Sequence, residues 1–246
     1  MGELIAVASG KGGTGKTSVT AGVATALAAS GQRVLCIDCD VGLRNLDISL
    51  GLSDLCPLSF LDVYEGGYPL SQASVHPKFP SLHFLTAPMN RAPEQIDPLR
   101  FGEFLTGARR SFDYILLDAP AGLDAGFRLA AAFADRCIIV TGPGPGALRD
   151  AAAAAQALEL MGKTNVRLVV NRIQKKLFRA MDTTVDDMMD TAGLPLLGII
   201  PEDPNVTLAA SFNHPLLSYK PRCAAAKACT RIAKRITGLP VPISTR

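Results

Sequence analysis

The chain has 246 residues, 48% of them hydrophobic, enough to bury a full core as one domain spanning 1–246. Its 25 basic and 22 acidic residues leave a formal charge of +3, tryptophan is absent and aromatics make up 6%, which speaks against a nucleic-acid surface built on charge or base stacking. The N-terminus MGELIAVASGKGG lacks the basic and apolar regions of a secretory signal, it lacks a myristoylation pattern, and no apolar run is long enough to span a bilayer, so the expected location is cytoplasmic.

In chain order, short apolar runs alternate with longer helical patterns. Strands are expected at LIAVAS (4–9), RVLCID (33–38), LHFLTA (82–87), DYILLD (113–118), RCIIVT (136–141), VRLVVN (166–171) and LLGII (196–200). Each is apolar almost throughout, as suits parallel strands covered on both faces. Helices are expected at 16–30, 99–110, 124–134, 147–161, 182–192 and 219–237, with Gly31, Gly162 and Gly193 placed to end three of them. The rhythm predicts an α/β fold: a doubly wound, mostly parallel sheet with helices on both faces.

Residues Gly10 to Thr17 fit G-x-x-x-x-G-K-[ST] between a predicted strand and a predicted helix, the context that a phosphate loop requires. Gly12, Gly13 and Gly15 free the backbone to aim N–H groups at one anion, and the helix opening near Lys16 adds its positive end. Lys16 supplies a charge for the β and γ phosphates and the Thr17 hydroxyl a ligand for Mg²⁺. With Thr14 and Ser18, the run 10–18 is the expected nucleotide-binding stretch. The strand at 113–118 ends in Asp118, placed as the Mg²⁺-linked carboxylate, and Asp38 and Asp40 close the strand at 33–38. In a parallel sheet these strand ends open on one crevice. Being two apart on an extended chain, Asp38 and Asp40 would both face it, one orienting the attacking water and the other holding loop or metal geometry. Asp47 reads as structural.

Six cysteines include Cys36 and Cys39 at C-x-x-C spacing. Asp38 and Asp40 flank Cys39 and disfavour a thiolate, so the cysteines read as buried thiols, not redox or metal ligands. His76 and His214 precede prolines in presumed loops, and His83 lies in a strand pattern.

KGGTGKT, DCDVGLRNLD and DAPAG together resemble the deviant Walker A ATPases, and within them the MinD type. The resemblance continues through TVDDM (184–188), LPLLGIIPED (194–203) and IAKRITG (232–238); GLRNLD with Arg44 is the MinD form, the alternative being a flagellar-number regulator or a chromosome- or plasmid-partitioning ATPase of the same superfamily. It implies an ATP- and Mg²⁺-dependent ATPase that dimerises on binding ATP and controls placement of the division septum, with a MinC-like inhibitor and a MinE-like or other regulator as partners and no nucleic acid. Lys11 matches the signature lysine that reaches the partner subunit's nucleotide. Asp40 matches the water-orienting aspartate and Asp118 the Mg²⁺-linked one. Asn171 and Arg172 match an adenine-side pair, Pro201, Glu202 and Asp203 a second adenine-contacting loop, and Asp150 a position at the subunit interface. A reductase-type relative would need a loop cysteine for an iron–sulfur cluster, whereas Cys137 falls inside a predicted strand. The last helical stretch places Ala225, Cys229, Ile232 and Ile236 on one stripe without Phe, Leu or Trp, a core-packing pattern. Attachment to the inner face of the cell membrane would then need an anchor or a partner.

Overall fold

The computed structural model describes residues 1–41, 43–55, 57–89, 91–174, 180 and 183–243. Among these residues eight strands form one sheet: β1 (Glu3–Ser9), β2 (Val34–Asp38), β3 (Ser74–His76), β4 (Phe79–Leu85), β5 (Tyr114–Ala121), β6 (Arg136–Thr141), β7 (Val166–Ile173) and β8 (Leu196–Pro201). Their spatial order is β3-β4-β2-β5-β1-β6-β7-β8, with every neighbouring pair parallel except β3 and β4. The central strands are buried along nearly their whole length, which is why they read as unbroken apolar runs.

One face is covered by α1 (Lys16–Ala29), α2 (Leu46–Leu50), α8 (Pro204–Ser211), α9 (Leu216–Tyr219) and α10 (Ala224–Ile236). The other carries α3 (Phe60–Tyr64), α4 (Pro98–Ala108), α5 (Ala125–Ala132), α6 (Pro145–Leu160) and α7 (Val185–Ala192). Helix α1 is small and apolar nearly all round, so it sits between the sheet and α10, where Gly22 leaves room for the Cys229 sulfur. Helix α10 buries Ala225, Cys229, Ile232 and Ile236 there, the core role its stripe suggests.

The expected doubly wound sheet is present, with local corrections. Strand β4 spans Phe79–Leu85 instead of 82–87 and pairs with the short antiparallel β3. His76 therefore lies in a strand, buried, its Nε2 2.9 Å from the Leu50 carbonyl. The helix expected at 219–237 is two: α9 ends before Pro221, whose ring cannot continue it, and α10 starts afresh from Cys223. Helices α2, α3 and α8 were not expected from the sequence. The helix expected at 182–192 begins outside the described residues and is seen from Val185, as Cys56 also lies outside them.

Candidate nucleotide site

Strand β1 runs into the glycine loop at the C-terminal edge of the sheet, where Ser9 Oγ donates to the Lys11 carbonyl at 2.9 Å. Gly13 and Gly15 adopt left-handed backbone, with φ of 81° and 83°, and Gly15 opens α1. Gly10 faces the backbone of Asp150 on α6 so closely that a Cβ there would fall 2.1 Å from its carbonyl oxygen. Asp150 thus sits against the loop, a placement that nothing in its local sequence signals.

Lys16 is buried and its Nζ lies 2.9 Å from Asp118 Oδ1. Thr17 Oγ1 donates to Asp118 Oδ2 at 2.8 Å, and Thr20 Oγ1 lies 2.8 Å from Asp118 Oδ1. Register explains the convergence: Asp118 on β5 stands opposite Val7 of β1 and Asp38 of β2. Thr20 carried no sequence signal beyond its position one turn after Lys16.

Asp38 and Asp40 part company. Asp38 is fully buried, and its carboxylate accepts backbone N–H groups from Asp40 at 2.9 Å and from Asn45 and Leu46 at 3.1 Å each. It folds the following loop back onto itself. Burial, reinforced by the Asp118 charge, pushes its carboxyl up to about 7. Asp40 is half-buried at the crevice mouth, its carboxyl raised mainly by desolvation, against the attraction of Lys16 and with the repulsion of Asp118. Asp47 is structural, pairing with Arg44 at 3.2 Å and accepting from the Ile48 N–H at 2.8 Å.

On the other side of the loop, Asn171 Nδ2 donates to the Thr14 carbonyl at 2.8 Å and presses on Gly15, where a Cβ would fall 2.3 Å from that nitrogen. Arg172, in left-handed backbone at φ 60°, donates to the Gly13 carbonyl at 3.3 Å and pairs with Glu202 at 2.8 Å. These residues rim a cavity of about 210 Å³ lined also by Ser18, Pro201, Val206 and Ala210. Its wall from α8 was missed, although Asp203-Pro204 is a helix-start signal. Asp203 borders the cavity, but its carboxylate serves as a cap, accepting from Asn205 N at 3.0 Å and from Ala225 N at 3.2 Å.

Lys11 stands apart. It is exposed on the rim, and its ammonium has no ion-pair partner among the described residues. Cys36 and Cys39 lie in apolar clusters on opposite faces of the sheet, and burial, reinforced by the charges of Asp38 and Asp118, raises both thiols; Cys229 lines the cavity, its thiol raised in the same way by burial. Cys137 is buried in β6, its thiol pushed up to about 11 by burial.

A backbone anion cradle, a buried lysine inside it and a strand-end carboxylate beneath it make this a P-loop nucleotide-binding domain. Residues 5–216 match the model described as "CobQ/CobB/MinD/ParA nucleotide binding domain", and the chain belongs to that family, among its MinD-type ATPases. It is 40% identical over 98% of its length to a putative septum site-determining MinD of Nephroselmis olivacea, of which it spans 89%. Its fold superposes on the MinC:MinD cell division protein complex of Aquifex aeolicus with a TM-score of 0.90, at 35% identity and covering 98% of each chain. A MinD of Pyrococcus horikoshii complexed with Mg-ADP matches with a TM-score of 0.83 and 30% identity, over 96% of each chain.

Proposed function

We propose that the chain is an ATP-driven dimerising switch that controls where the division septum forms. The observation that carries this is Lys11: the loop already owns a buried lysine, Lys16, yet places a second one outside, exposed and unpaired among the described residues. An exposed cation on the rim of its own cradle gains most by meeting the triphosphate of a second subunit, where docking removes water and strengthens the attraction.

The donor set suits Mg²⁺. Thr17 offers a hydroxyl and Asp118 a carboxylate, both hard oxygens already 2.8 Å apart, and Mg²⁺ in nucleotide sites takes one or two such protein ligands beside phosphates and water. Bound there, the ion would neutralise charge on the β and γ phosphates. The cradle of 10–18 holds the phosphates through backbone N–H groups, and Lys16 moves from Asp118 toward them. Asn171, Arg172 and the 201–203 loop border the cavity for the adenine. Asp40, at the crevice mouth, orients the attacking water. Once the γ phosphate is cleaved, Lys11 of each subunit loses its hold and the pair separates.

A MinC-like inhibitor is the expected partner, because a solved relative is a MinC:MinD complex. A MinE-like or other regulator completes the reading, with a peripheral position on the inner membrane face if an anchor or partner supplies it.

Light scattering with ATP tests it. Lys11→Ala should stay monomeric, while Asp40→Ala should dimerise without turning over. ATP-dependent dimerisation surviving in Lys11→Ala would defeat the switch, and full turnover in Asp40→Ala would defeat the water role.

A further inference from the structure

Asp118 receives three side-chain donors: Lys16 and Thr20 on Oδ1, Thr17 on Oδ2. Two of these are committed elsewhere in the working cycle proposed above, on which this inference rests, Lys16 to the phosphates and Thr17 to the metal. Thr20 is the one that stays, since its hydroxyl is fully buried on the second turn of α1. We propose that Thr20 is a positioning residue, which keeps the Asp118 carboxylate aimed at the metal position after Lys16 and Thr17 have let go.

Buried helical threonines commonly return their hydroxyl proton to the carbonyl four residues back, and Thr25 on the same helix does so, 2.8 Å from Ala21 O. Thr20 has that option too, with Lys16 O at 3.0 Å, but it also has a buried carboxylate oxygen at 2.8 Å. A hydroxyl has one proton, and the charged acceptor takes it. With Oδ1 pinned this way, rotation about the carboxylate's last torsion is blocked and Oδ2 remains aimed where Thr17 now sits. Without the pin, a carboxylate abandoned by both partners is free to turn about that torsion, and Oδ2 no longer stays aimed at the metal position.

The test uses calorimetric binding of ADP by the full chain, first in EDTA and then across a Mg²⁺ titration, for wild type, Thr20→Val, Thr20→Ser and Thr25→Val. Outer-shell groups of this kind change metal affinity by about 10–100-fold. Thr20→Val should therefore need at least about tenfold more Mg²⁺ to reach half of the tightening. Thr20→Ser should titrate like wild type, and so should Thr25→Val, which loses a buried hydroxyl away from Asp118. A Thr20→Val protein that melts earlier than wild type but keeps its Mg²⁺ midpoint would overturn the proposal, leaving a hydroxyl that only supports the helix. An equal rise of the midpoint in Thr25→Val would overturn it too, as a general effect of softening α1. Failure of the wild type to bind ADP tightly with Mg²⁺ would instead reject the parent reading, and this one with it.

Discussion

Lys16 Nζ and Asp118 Oδ1 meet at 2.9 Å beneath the glycine loop, with 6% and 1% of their side-chain surfaces exposed. Each neutralises the other's charge inside the protein. Removing one partner from a buried pair leaves the other charge uncompensated, at a cost of about 3–5 kcal/mol. Asp118→Ala is expected to fall in that range in urea unfolding without nucleotide. A loss under about 1 kcal/mol would mean that water reaches Lys16 freely.

Gly15 yields a sharper expectation, because two constraints coincide there. Its φ of 83° costs a residue with a Cβ about 1–2 kcal/mol, and that Cβ would sit 2.3 Å from Asn171 Nδ2. Gly15→Ala should therefore push Asn171 off the Thr14 carbonyl and disturb phosphate and adenine sides together. Titration with ADP should show nucleotide affinity reduced by at least about a hundredfold, on the scale of losing two charge-assisted contacts. Near-normal affinity in this variant would show that the loop can re-form around the methyl.

Much of this could be read from the chain, and the failures have physical causes. Strands β1, β2, β5 and β6 are buried on both faces, so the apolar run itself is the signal. Strand β3 has three residues, two of them polar, and exists only because β4 turns back on it; Pro77 made His76 look like loop. The division of roles between Asp38 and Asp40 was hidden because the two-residue spacing argument assumes an extended chain. The chain instead turns after Asp38, bringing the Asp40 N–H back onto the Asp38 carboxylate. Asn171 meets Thr14 across 157 residues, a contact that no local pattern encodes.

The ion pair of Arg172 and Glu202 closes the rim of the cavity proposed for the adenine, with Arg172 55% exposed. An exposed pair adds little to stability, so Arg172→Ala should leave the unfolding midpoint nearly unchanged. Its effect should fall on the base: ADP affinity should drop severalfold, while affinity for inorganic pyrophosphate, which lacks a base, stays the same. An equal loss for both ligands would place Arg172 in the phosphate site, through its hydrogen bond to the Gly13 carbonyl.

Asp38 makes stability depend on pH in an unusual direction. Its folded carboxyl titrates at about 7, above its ordinary value of 3.8, because burial and the Asp118 charge outweigh its backbone hydrogen bonds. Between those two values the folded chain holds a proton that the unfolded chain has released. Raising the pH through this window therefore destabilises the nucleotide-free protein, and the contribution present below about pH 4 is gone above about pH 7. Asp40, raised in the same direction, adds to the trend. Urea midpoints taken from pH 5 to pH 7.5 should fall as pH rises, by an amount on the order of a few kcal/mol in unfolding free energy. Asp38→Asn cannot ionise; its one oxygen can serve the N–H groups of Asn45 and Leu46 while its NH2 faces the Asp40 N–H, so it should be less stable throughout but its midpoints should be much flatter over the same range. A wild-type profile that is flat or rises across this window would mean that Asp38 is ionised throughout, its charge carried by the three backbone donors alone.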